Sequence, residues 1–127
     1  MKDINYTSMK TNFPMNPSLT LRFLVGGKSK FVRPEEVIFL ESKINYTILY
    51  LTNGRTYLSA RNLQVYENKL MVLPYFFRIH RGIIINMLQI EKIKLDKLSG
   101  SVLLQSGEEL CISRRRIKEF EARYNAI

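Results

Sequence analysis

The sequence has a single cysteine, Cys111, and a single histidine, His80. One thiol cannot close an internal disulfide, and nothing in the chain shows the ligand spacing of a metal cluster. Long apolar runs are missing as well: no stretch approaches the roughly 18–20 residues needed to cross a bilayer as a helix. The opening, Met1-Lys2-Asp3-Ile4-Asn5-Tyr6-Thr7, has neither an apolar run nor a small-residue cleavage site, so no signal peptide is expected. These absences lead to an expectation of a cytoplasmic protein with no membrane insertion, no metal and no cofactor. Catalytic signatures are absent too. There is no glycine-rich phosphate loop and no pair of carboxylates in a plausible cleft. Ser42, Ser59, Cys111 and Ser113 lack a recognisable nucleophile signature. His80 reads either as a general base or as a partly buried residue holding a turn by hydrogen bonds. Cys111 is expected to pack in the last strand as a small apolar residue. No enzyme is expected.

Acidic residues are scarce relative to basic ones. Twenty Lys and Arg face eleven Asp and Glu in 127 residues, a formal charge of +9. That length is one ordinary domain's worth of chain, and the excess favours a polyanionic partner: DNA, RNA or an acidic membrane surface. The basic residues fall in two groups. Lys43, Arg55, Arg61, Lys69, Arg78 and Arg81 lie between Ser42 and Gly82 against one acid, Glu67, and Arg114, Arg115, Arg116 and Lys118 lie near the end.

Hydrophobic spacing sets the expected elements. Residues 1–18 are polar, contain Pro14 and Pro17, and read as a leader or extended arm before a domain at 19–127. From Leu19 to Val25 the alternation is that of a half-buried strand, and Gly26-Gly27 turns it into a partner at Lys28–Val32. Further strands are expected at Val37–Glu41, Tyr46–Leu51, Thr56–Ser59, the apolar run Ile83–Asn86, Gln89–Leu95, Ser99–Gln105 and Glu109–Ile112. Asn53-Gly54 signals a tight hairpin, because both residues tolerate positive φ. Leu63, Tyr66, Leu70 and Met71 have near-helical spacing within Ala60–Val72. Ile117, Phe120 and Tyr124 form the apolar stripe of a last helix, with Ser113 as its expected N-cap. The fold class is therefore mainly β, with a short internal helix and a C-terminal helix.

The start of that last helix is the most informative feature. Its end carries partial positive charge, where Asp and Glu are favoured by about 0.3–1 kcal/mol. Ser113 is instead followed by three arginines, an arrangement that an anion such as a phosphate would stabilise. Arginine also suits bidentate contact with guanine O6 and N7. The alternative is a solvated helix end whose arginines meet Glu108, Glu109 or Glu119. The polar segment Lys43-Ile44-Asn45-Tyr46 has a similar duality, since Asn45 can read a base edge or serve ordinary turn chemistry. Of Arg78 and Arg81, one is expected to be structural and the other exposed. Phe76, Phe77 and Phe120 are expected in the core, although stacking on single-stranded nucleic acid is the competing use of such residues.

Taken in order, Val37-Ile38-Phe39-Leu40-Glu41-Ser42, Asn45-Tyr46-Thr47, Asn53-Gly54-Arg55, Ala60-Arg61-Asn62-Leu63, Phe76-Phe77-Arg78-Ile79-His80-Arg81-Gly82, Ile84-Ile85-Asn86, Gly107 and Ser113-Arg114-Arg115 resemble the LytTR DNA-binding domain of bacterial response regulators. The resemblance spans roughly residues 20–125. It implies an elongated stack of small antiparallel sheets, and sequence-specific binding of direct-repeat duplex DNA through loops in successive major grooves, as a bacterial transcriptional regulator. It assigns DNA contact to Lys43, Asn45 and Tyr46, to Arg81, and to Ser113 and Arg115, with Arg114, Arg116 and Lys118 beside them. It leaves His80 and Asn86 to local structure. Most family members carry a phospho-receiver domain ahead of this one, for which 18 residues leave no room, so a stand-alone member or a piece of a longer chain is expected. Gly82 stands where serine is frequent. A homodimer on DNA, a heteromeric partner whose regulator the module modulates, and single-stranded nucleic-acid binding remain the competing arrangements.

Overall fold

A computed structural model describes residues 4–7 and 20–127. Alternation of apolar and polar residues produces most of its architecture. Eleven strands are described: β1 (Ile4–Thr7), β2 (Leu21–Val25), β3 (Lys28–Val32), β4 (Val37–Lys43), β5 (Tyr46–Leu51), β6 (Thr56–Ser59), β7 (Phe76–His80), β8 (Ile83–Asn86), β9 (Ile90–Leu95), β10 (Gly100–Leu104) and β11 (Glu109–Ile112). Two α-helices, α1 (Leu63–Leu70) and α2 (Ile117–Asn125), complete the described elements together with three single 3-10 turns. The strands form three antiparallel sheets, in the orders β1-β9-β10-β11, β2-β3 and β6-β5-β4-β8-β7. The mainly β expectation with two helices holds. Within the expected leader, Ile4–Thr7 pairs with β9, Ile4 opposite Leu95 and Thr7 opposite Lys92. The rest of that leader, and Leu19 at the head of the expected first strand, lie outside the described residues.

The five-stranded sheet is the middle layer. Ile79, Ile83, Ile85 and Phe77 pack on one face with Ile93, Val102, Leu104, Phe120 and Tyr124 from the four-stranded sheet and α2. Leu40, Leu49, Ile84 and Phe76 pack on the other with Leu63, Tyr66 and Leu70 of α1 and with Phe23 of β2. A strand covered on both faces reads as a continuous apolar run. This is why Ile83-Ile84-Ile85 lacks alternation: every residue of β8 is buried. A register shift between Val37 and Phe39 lets Ile38 and Phe39 both reach the first core. Phe76, Phe77 and Phe120 are all buried, and none offers a face for a base.

Several boundaries differ from the sequence expectation. Helix α1 is shorter than Ala60–Val72. Asn62 caps it, its side chain accepting from the Val65 N–H at 3.1 Å, and Met71 lies past its end, exposed. The Asn53-Gly54 turn is wider than a two-residue hairpin. Leu51 and Arg55 close it with a 3.0 Å backbone bond, and only Gly54 adopts positive φ, +84°. Half of the segment expected as a loop at Ser42–Asn45 is strand. Lys43 pairs directly with Tyr46, leaving Ile44 and Asn45 as a two-residue tip. Cys111 does not pack inside: it is exposed. In β11, Leu110 and Ile112 face inward, and the two-residue period turns Cys111 outward.

Candidate nucleic-acid interface

Antiparallel pairing gathers one end of every strand in the middle sheet. β6 ends at Ser59 opposite Thr47, near the start of β5. β4 ends at Lys43 opposite Tyr46. β8 begins at Ile83 opposite Glu41, and β7 ends at His80 opposite Ile83. The β4–β5 tip and the β7–β8 turn are therefore neighbours, tied by a 2.8 Å bond from the Ser42 N–H to the Gly82 carbonyl. Beyond β7, the Ser113 N–H donates to the Ile79 carbonyl at 2.8 Å, and Arg116 Nη1 donates to the Arg78 carbonyl at 3.2 Å. Three segments, each more than 30 residues from the next in sequence, thus share one end of one sheet.

At the tip, Lys43, Asn45 and Tyr46 are exposed. Lys43 Nζ lies 3.7 Å from Glu41 Oε1, a surface pair of the kind that contributes little. Glu41 also accepts a 2.9 Å bond from the Tyr50 hydroxyl, and burial together with that carboxylate pushes Tyr50 up to about 12. Ile44, which sequence reasoning does not single out, is 99% exposed at the point of the tip. Its only signal was an isoleucine between polar neighbours in a segment without apolar period.

The two arginines around His80 divide as the strand period requires. Arg78 turns toward α1, where Nη1 meets Glu67 Oε1 at 2.9 Å and Gln64 Oε1 at 3.0 Å, and its Nε donates to the Arg81 carbonyl at 3.2 Å. Arg78 is structural and Arg81 is exposed. His80 holds the turn: its Nδ1 accepts the Gly82 N–H at 3.0 Å. Burial, with Arg116 and Arg78 nearby, lowers its pKa and keeps the ring neutral enough to accept.

The arginine cluster is set differently from the expected helix start. Ser113 makes no side-chain cap, its backbone N–H is bonded to β7, and Arg114–Arg116 form a 3-10 turn. The α-helix begins one turn later, at Ile117, with Glu119 in its first turn as the dipole favours. The arginines therefore do not sit within the α-helix's first turn. Arg114 and Arg115 are exposed, Arg116 is half-buried, and Lys118 is exposed on α2. Among the described residues, no ion pair joins Arg81, Arg114, Arg115, Arg116 or Lys118 to Glu108, Glu109, Glu119 or any other acid. Among the same residues no metal-ligating cluster is found, and no helix is long and apolar enough to cross a membrane.

Comparison with known proteins bears on the family and the fold. The family model of the LytTr DNA-binding domain matches residues 27–125. The transcriptional regulatory proteins LytR of Staphylococcus aureus strains N315 and USA300 are each 26% identical over 121 residues, covering 94% of this chain. The chain spans about half of their length, 48%. Among solved structures, the LytTr DNA-binding domain of a Bacillus cereus response regulator superposes with a TM-score of 0.68 at 22% identity, covering 82% of this chain and 94% of that one. That likeness extends to the fold. With most of its length matched by the family model, the chain belongs to the LytTR family of DNA-binding domains.

Proposed function

We propose that this domain acts in transcriptional regulation by reading a direct-repeat duplex site, with the β4–β5 tip, Arg81 and the Ser113–Arg116 turn as its three contact points. The observation that carries the reading is the adjacency made by the Ser42–Gly82 and Ser113–Ile79 backbone bonds, which aligns three exposed, basic or polar segments along one sheet end. Arg115, exposed and free of ion pairs among the described residues, is the base-reading arginine, bidentate to guanine. Asn45 suits an adenine edge, and Ile44 offers an apolar surface to a thymine methyl. Lys43, Arg81, Arg114 and Lys118 supply phosphate contact and the salt-dependent part of affinity, and Ser113 and Tyr46 add hydroxyl donors to the backbone. Arg116, tied to the Arg78 carbonyl, fixes the turn that presents the others.

The test begins with selection of bound fragments from the source genome, which should return a direct repeat with about one helical turn between half-sites. On that duplex, Arg115→Ala should weaken binding by about 1–3 kcal/mol and relax preference at one base pair. Equal affinity of Arg115→Ala and the unsubstituted protein in a gel shift at moderate salt would refute the assignment.

A further inference from the structure

The row of strand ends has a second extremity, beyond β6, and it too is basic. Arg22 on β2, Arg61 just after β6 and Lys69 on α1 line a cavity of about 230 Å³ whose remaining walls are Leu24, Val65 and Tyr66. No acidic residue lines it, and among the described residues none of the three cations forms an ion pair. The Lys69 ammonium is held in place: it donates to the Arg22 carbonyl and lies 5.9 Å from the ring centroids of Phe23 and Tyr66. Burial and the charges of Arg22 and Arg61 lower its pKa, which reports that the three cations are close enough to repel. Such a group is stabilised by an anion entering the cavity.

The cavity's side chains also say which anion. Edges that present a donor call for Asn, Gln or a carboxylate among the readers, and the acceptor-only guanine edge calls for one projecting planar fork rather than three converging cations with the ammonium fixed. Here the charged groups are donors only, matched to an acceptor-only phosphodiester. Location supplies the source. The Arg61 carbonyl accepts a 2.8 Å bond from Thr47 Oγ1, one residue from Tyr46 at the β4–β5 tip, and β2 packs against β6. Across five strands about 4.8 Å apart, the sheet separates β6 from β7 by about 19 Å. We infer that Arg22, Arg61 and Lys69 clamp a backbone phosphate of the bound duplex at the end of the row opposite Arg115, fixing register without reading sequence. This rests on the duplex-binding reading above.

The salt dependence of duplex affinity tests it, measured by fluorescence anisotropy on the selected repeat and on a scrambled duplex. Arg61→Gln and Lys69→Gln should each lower the slope of log K against log salt, and the two together by up to about 0.9, the share of one phosphate, with similar losses on both duplexes, whereas Lys69→Arg should keep the slope. Arg61 makes no side-chain bond among those described, so its variant stands even if Lys69→Gln loosens the hairpin. A third arm titrates inorganic phosphate while following the amides of Leu24, Arg61 and Tyr66. Unchanged slopes in both Gln variants would overturn the clamp while leaving duplex binding intact. Amide shifts with phosphate but no slope change would assign the cavity to a free phosphate instead, against the inference. Absence of duplex binding by the unsubstituted protein would refute both readings.

Discussion

At the scale of single residues, the turns of the candidate interface are shaped by side chains spent on internal bonds. Arg78 is sequence-adjacent to the exposed candidates yet is spent on Glu67, Gln64 and the Arg81 carbonyl, so that it shapes the turn from which Arg81 projects. His80 works in the same place through Nδ1, which accepts only when that nitrogen is unprotonated. Its pKa is depressed in the fold by burial and by Arg116 and Arg78. Between the folded value and the ordinary value near 6.5, the unfolded chain binds more protons than the native one. The stabilisation is therefore complete above about pH 6.5 and declines as pH falls through the folded value. Urea titrations at a series of pH values should show unfolding free energy dropping on acidification below that point, and His80→Asn should flatten this part of the profile. An identical pH profile in the variant would contradict the role. Cys111 carries the complementary lesson. Its chemistry suited a core, but its parity in β11, between Leu110 and Ile112, decided the outcome.

At the scale of elements, what was legible followed from local period, and what was not depended on bonds between distant segments. Apart from β7, which the sequence reading does not mark as a strand, β2 to β11 are marked by alternation, by a turn signal or by a doubly covered apolar run. Both helices show their stripes, and Asn62 is a recognisable cap for α1. The helix boundary at Ser113 misleads because serine before a polar run suggests an N-cap, while the Ser113 N–H is held by the Ile79 carbonyl 34 positions earlier. The pairing of Ile4–Thr7 with β9 is equally non-local. The proposed contact residues could be named from the motif, but their convergence on one sheet end depends on strand order, which no local pattern states. Asn86 shows how such distant bonds hold the elements. Fully buried, it donates to the Val37 carbonyl at 2.9 Å and accepts the Leu88 N–H at 2.9 Å, joining the end of β8 to the start of β4. Asn86→Ala strands both backbone groups and should destabilise by about 2–4 kcal/mol. The urea midpoint should fall at unchanged m-value, and a loss below half a kcal/mol would show that water or a shifted partner satisfies them.

At the scale of the whole molecule, the middle sheet does two jobs with its two directions. Much of its two faces is buried, against the four-stranded sheet and α2 on one side and against α1 and β2 on the other, while its ends and the outer positions of β6 face solvent. One of those ends carries Arg61, the Lys43–Tyr46 tip, Arg81 and, past β7, Arg114 and Arg115. A rigid sheet held from both faces presents these loops at fixed spacing, which is what register-dependent recognition of a regular duplex needs. Backbone amide shifts on titration of the selected direct-repeat duplex test this arrangement most directly. The account predicts the largest changes at Lys43–Tyr46, Arg81–Gly82 and Ser113–Arg116, with the outward face of β10 and β11 near Ser101 and Cys111 unmoved. Changes concentrated on that outward face, with the sheet end silent, would contradict it.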